Sequence, residues 1–198
     1  MKFVNQRDYP DWLYITRTDM DGEEKEYGKT TTVFTSGCGL CSAVMVADYL
    51  IPRCAFSLTD ALDISYAQHA NQGKGTDYDR FAPAFAEKLD LEWKTAQHVD
   101  EVRAWVRTGG AAVALCDGDR EGRVGKFSHR GHFVAVIGEE ADGRMVVLDP
   151  NQYLGKYEEE GRKGFVELKY GYVALCQPQT LQDDSSKTKT PYYLFRRK

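Results

Sequence analysis

Residues 36–46 read SGCGLCSAVMV, with Cys38 between Gly37 and Gly39 at the start of a run of helical character. A helix N-terminus presents unpaired N–H groups and positive potential, and both favour a thiolate over a thiol. Glycines on either side permit a sharp turn and the close approach of another chain. These residue types point to a nucleophilic thiol, and the same N–H groups suit a developing oxyanion.

A thiolate nucleophile needs a base and a group to orient it. The four histidines are His69, His98, His129 and His132. His132 opens the apolar run HFVAVIGE, and Asp149 closes RMVVLD ahead of Pro150. The two runs read as a hairpin joined by EADG. In an antiparallel pair the numbers of facing residues add to a constant, which is odd when the loop holds an even number of residues. Positions 132 and 149 add to an odd number. A two- or four-residue loop without a bulge would therefore put both side chains on one sheet face, opposite or one diagonal step apart. The spacing permits a Cys38–His132–Asp149 triad. His69 and His98 fall near helix ends with no chemistry around them, and His129 falls in a loop.

Other motifs read more simply as structure. CGLC is a C-x-x-C pattern, and as a redox site it would need a βαβ unit ahead of it, with TTTVF as the strand. Residues 1–30 are too short and irregular to supply one, so a thiol oxidoreductase is an alternative reading only. No second C-x-x-C or H-x-x-x-H accompanies Cys38 and Cys41, and no cofactor or metal is expected. NQGKGT lacks the spacing of a phosphate loop and reads as a turn and helix cap. Gly109–Gly110 reads as a helix stop. Glu158–Glu160 form a short acidic run, read as a solvated loop, with a preference for basic substrates as the alternative.

The elements that must hold these residues fall into two unlike parts. Residues 38–108 read as helices: one from Cys38 to Pro52, a second from Ser57 to about Asn71, a third from Thr76 to about Leu89 and a fourth over 99–107. Ser57-x-x-Asp60 and Thr76-x-x-Asp79 resemble capping boxes. Residues 111–198 read mainly as strands: AAVALCD, HFVAVIGE, RMVVLD, FVELKY, YVALCQ and YYLFRR, with 118–130 and 182–190 as loops. Helices followed by strands argue for an α+β fold with an antiparallel sheet. The expected organisation is a single domain over 1–198, with 1–30 an N-terminal extension, 31–108 carrying the cysteine and 111–198 carrying His132 and Asp149.

The 198 residues carry a net charge of −4. Nucleic acid is excluded as a main partner because phosphate binding needs a basic field. No apolar run approaches the length of a membrane span. No stretch resembles a secretion signal, so a cytoplasmic location is expected. The five cysteines, an odd number, point to reduced thiols rather than a disulfide framework.

GCGLCSAVMV, followed by GHFVAVIG and VVLDP in that order, resembles the papain-fold cysteine peptidases related to bacterial bacteriocin-processing, double-glycine peptidases. Gly75-Thr76, ahead of a helix with Phe81 and Phe85, resembles a lesser feature of that family's standalone members. The resemblance covers residues 30–155. It implies a papain-like α+β fold and a peptide or protein substrate. It also implies Cys38 as nucleophile, His132 as base and then acid, and Asp149 as orienter. In papain the nucleophile is the second cysteine of a CGxC motif, so Cys41 stands as the alternative. The family places a Gln five or six residues before the cysteine to hold the oxyanion. Here those positions are Val33 and Thr32, and no Gln lies between Gln6 and Cys38. Thr32, Ser36 or the Cys38 N–H are the candidates to replace it. Loss of one such donor costs about 100–1000-fold in rate, so a weak enzyme or a binding protein on the same fold is a second reading.

Overall fold

The computed structural model describes residues 1–16, 32–71 and 75–198. Most of the NQGKG turn, and the first residues of TTTVF, lie outside the described residues. The centre of the fold is helix α2, Cys38–Leu50, where every residue from Gly39 to Ala47 is buried. A helix apolar on nearly all sides has no solvent face to present and must be enclosed. Leu40, Val44, Met45 and Val46 are fully buried, and each such side chain contributes roughly 1.5–3 kcal/mol. The helix ends two residues before Pro52, which has no N–H with which to continue the helical ladder.

Around α2 lie α1 (Val33–Ser36), α3 (Leu58–Ala67) and α4 (Tyr78–Lys88). The Ser57 hydroxyl and the Asp60 carboxylate form the reciprocal cap expected of α3. At α4 the cap is Asp77, not Thr76. The Thr76 hydroxyl instead shares a 2.9 Å hydrogen bond with the buried phenol of Tyr14. Tertiary contact has taken a residue that local pattern would spend on the helix end.

The remaining elements are β1 (Leu91–Ala96), α5 (Val99–Arg107), β2 (Ala111–Cys116), β3 (His132–Glu139), β4 (Met145–Leu148), β5 (Val166–Lys169), β6 (Val173–Cys176), α6 (Pro178–Asp184) and β7 (Tyr192–Arg197). The strands form one antiparallel sheet in the order β1-β7-β2-β3-β4-β6-β5. Alternation along β2 sends Ala111 and Val113 into the core around α2, and Ala112, Ala114 and Cys116 into a second core with α5 and α6. The central strands are thus buried on both faces, which explains why they read as continuous apolar runs.

Three expectations are corrected. Residues 91–96, LEWKTA, are a strand inside the part read as helical; their charged positions face solvent on an edge strand paired only with β7. Residues 178–184 form α6 where the sequence reads as strand end and loop, with Pro178 in the first turn, a place proline tolerates. The residues before Cys38 form helix α1 rather than the strand a redox fold requires. Residues 1–16 pack into the body: Val4, Gln6, Tyr14 and Thr16 are buried.

Candidate active site

Cys38 is the first residue of α2 and is half-buried. Its flanking glycines are required by space rather than by φ. Gly37 has φ −88°, open to any residue, but a Cβ there would lie 2.6 Å from Val33. A Cβ on Gly39 would lie 2.9 Å from the ring of Tyr78, whose hydroxyl donates to the Gly39 carbonyl at 2.7 Å. The close approach of α4 sets the angle at which the cysteine enters its helix.

His132 heads β3 opposite Cys116 and is buried. Its Nε2 lies 2.7 Å from Oδ1 of Asp149. Its ring shares a cavity wall with Cys38, close enough for its charge to lower the thiol; with Nε2 taken by Asp149, Nδ1 is the nitrogen left for the sulfur. The hairpin that brings His132 to Asp149 departs from expectation twice. Its last pair is Glu139–Met145, which leaves a five-residue loop, and a bulge falls between Val136 and Gly138. Each departure alone would reverse parity. Together they cancel, and the pairs next to the site, Val136–Val147 and Ala135–Leu148, keep the odd register. His132 and Asp149 therefore meet one diagonal step apart.

Asp149 is saturated with donors. Besides His132, it accepts from the Asn151 N–H at 2.8 Å, the Tyr157 hydroxyl at 2.6 Å and the Lys156 ammonium at 2.5 Å. Lys156 is itself buried and also donates to the Asn151 carbonyl. Burial disfavours the charged carboxylate, but the charges of Lys156 and His132 prevail and hold it far below the usual carboxylate range. Burial likewise opposes a charged His132, and Asp149 overcomes this, raising the imidazole above its ordinary value. For Cys38, burial pushes the thiol up. The His132 hydrogen bond and charge, with the backbone N–H groups of Phe133 and Gly39, outweigh it and bring the thiol down. Cys41 is fully buried, and that burial drives its thiol well above the ordinary value.

Cys38, His132 and Lys156 line a cavity of about 830 Å³, with Ser36, Phe34, His129 and, from the far N-terminus, Gln6 also in its wall. Gln6 is buried, donates through Nε2 to the Phe34 carbonyl at 2.5 Å and leaves Oε1 without a partner. A side-chain amide carries two N–H donors, and among the described residues Nε2 makes this one hydrogen bond. Gln6 is not legible in the sequence, because it lies far from the position five or six residues before Cys38 where the resemblance places a glutamine. Nor are Lys156 and Tyr157, since neither spacing nor type sets these partners of Asp149 apart. Thr32 does not line the cavity; it caps α1 in a reciprocal pair with Thr35. His129 bonds Asp119 at 2.8 Å on the rim, and His98 caps α5. Glu158–Glu160 do not line the cavity, and Glu159 is taken by Arg162 and Tyr153. All five cysteines are free thiols.

No family profile matches the sequence, and no curated protein matches it. Among solved structures, the chain is similar to the crystal structure described as a "putative C39-like peptidase from Bacillus anthracis". The TM-score is 0.52 at 11% identity, over 82% of this chain and 89% of that one. The likeness is one of fold: mixed helices on an antiparallel sheet, shared with a C39-like peptidase neighbour. Among the described residues no helix is long and apolar enough to cross a membrane.

Proposed function

We propose that the chain is a papain-like cysteine peptidase, or a related amidase, acting on peptide or protein substrates. The observation that carries this is the placement of Cys38, at a helix start, in one cavity with His132, whose ring Asp149 holds at 2.7 Å. In this reading His132 takes the proton of Cys38, and the resulting thiolate attacks the scissile carbonyl. The tetrahedral oxyanion is met by the free N–H of Gln6 and by the N–H of Cys38, which has no intrahelical acceptor. The imidazolium returns its proton to the leaving amine. Water, deprotonated by His132, then releases the acyl group from sulfur. Asp149 keeps the ring oriented and its imidazolium stable.

Gln6 supplies the donor whose apparent lack favoured a binding protein, and the helix at 33–36 stands where a thioredoxin-like site would need a strand. The test is hydrolysis of a mixed peptide pool, read by mass spectrometry. The wild type should cleave and Cys38→Ala should not. Equal product from both, or none from the wild type under reducing conditions, overturns the reading.

A further inference from the structure

The cavity that holds Cys38 has a charge pattern unlike that of the acidic chain around it. Four cationic side chains line it: Arg7, Arg130, Lys156 and Arg162. Two are neutralised within the fold, Lys156 by Asp149 and Arg162 by Glu159. The one carboxylate in the lining, Asp77, is paired with Arg80. Arg7 and Arg130 remain, and among the described residues neither has a carboxylate within ion-pair distance. Arg7 directly follows Gln6, Arg130 lies two residues before His132, and both line the cavity that holds Cys38. Arg7 is also held in place. Its guanidinium lies 5.0 Å from the centre of the Phe34 ring and 4.9 Å from that of Tyr153, and donates to Asn151 at 3.2 Å. A guanidinium clamped between two rings keeps free N–H groups in a fixed fork, the geometry that fits a carboxylate.

We propose that the cleft takes substrates bearing a carboxylate beside the scissile bond, with Arg7 and Arg130 as its partners. This rests on the peptidase reading above and adds to it the substrate class. Focusing by a cleft of one sign raises the local concentration of anionic ligands, and the effect falls with ionic strength.

The test compares two alkylating agents of nearly the same size, anionic iodoacetate and neutral iodoacetamide, by their rates at Cys38. The His132 imidazolium also favours the anion, so the informative quantity is the rate ratio in the wild type against that in Arg7→Gln, Arg130→Gln and the double variant. The ratio should fall about 5–10-fold in the double variant at low salt, fall less in each single variant, and recover in Arg7→Lys. An unchanged ratio in the double variant, with Cys38 still alkylated, overturns the acidic preference and leaves the peptidase reading standing. Failure of both reagents at wild-type Cys38 overturns the peptidase reading itself. Three peptide pools then assign the source of the carboxylate: internal Gln with an amidated end, internal Glu with an amidated end, and internal Gln with a free end. Faster cleavage of the second assigns a side-chain carboxylate, and of the third a terminal one. Equal cleavage of all three counts against the proposal.

Discussion

Gln6 donates its backbone N–H to the carbonyl of Pro150 at 2.6 Å, and so ties the N-terminal residues to the position just after Asp149. Asn5 adds a second tie, from its side chain to the Gln152 carbonyl at 2.7 Å. Gln6 and Asp149, the proposed oxyanion donor and orienting carboxylate, are thus fixed to each other rather than to separate parts of the fold. Removing the Gln6 amide should affect the transition state far more than the resting thiolate. Gln6→Ala is expected to lower kcat about 100–1000-fold while Cys38 is still alkylated by iodoacetamide at close to the wild-type rate. A parallel fall in both rates would mean that Gln6 instead holds Cys38 and His132 in place.

The shifts of Cys38 and His132 run in opposite senses, which sets a pH window. Burial opposes the charged form of each. Mutual attraction, with Asp149 behind His132, lowers the thiol and raises the imidazole. Both shifts favour the thiolate–imidazolium pair over the neutral pair. Alkylation of Cys38 should rise with a midpoint below the roughly 8.5 of a free thiol. In His132→Ala the midpoint should move upward, because burial then acts without its counterweight. An identical profile in wild type and variant would show that the two groups are not coupled.

Lys156 and Asp149 are buried together, and the pair is expected to respond as buried pairs do. Lys156→Met leaves a carboxylate without its main counter-charge, and Asp149→Leu leaves an ammonium without any. Each single change should cost about 3–5 kcal/mol, and the double variant should be more stable than either. The pH dependence has a definite sign. The native carboxyl lies far below its unfolded value, with burial opposing and the charges of Lys156 and His132 prevailing. Its contribution is therefore present above about pH 4 and is lost as pH falls below that, where the unfolded chain takes up a proton the native state refuses. Denaturant melts from pH 6 to pH 2 should show a shallower acid loss in the double variant than in the wild type. Equal slopes would place the acid sensitivity elsewhere.

Much of this arrangement was legible from local rules, and the rest depended on long-range contact. The start of α2 at Cys38, the Ser57–Asp60 cap and the span of α5 follow from residue type and period, because each is decided within one or two turns. The Thr76 cap failed because a distant phenol competes for its hydroxyl. Strand β1 was hidden because an edge strand with one neighbour can carry charges at most positions. The meeting of His132 with Asp149 follows from parity, yet its actual route, an odd loop corrected by a bulge, is not visible in residue types. Gln6 lay furthest from view: only the folded path of residues 1–16 brings it beside Phe34.

The two cysteines of CGLC separate cleanly in the structure, which makes the choice of nucleophile testable without a substrate. Cys38 is half-buried and faces His132; Cys41, one turn on, is fully enclosed and its thiol is pushed up by burial. Only the thiolate reacts, and only where a reagent can reach it. Limited iodoacetamide at pH 7, followed by peptide mapping, should place the label on Cys38 alone. Cys41→Ala should leave that label in place and cost about 1 kcal/mol or somewhat more of stability, as expected for shrinking a small buried side chain. Cys38→Ala should abolish both fast labelling and peptide hydrolysis while leaving the melt close to wild type. Fast labelling of Cys41 in that variant, with hydrolysis retained, would move the nucleophile one turn along the helix and break the link to Asp149 through His132.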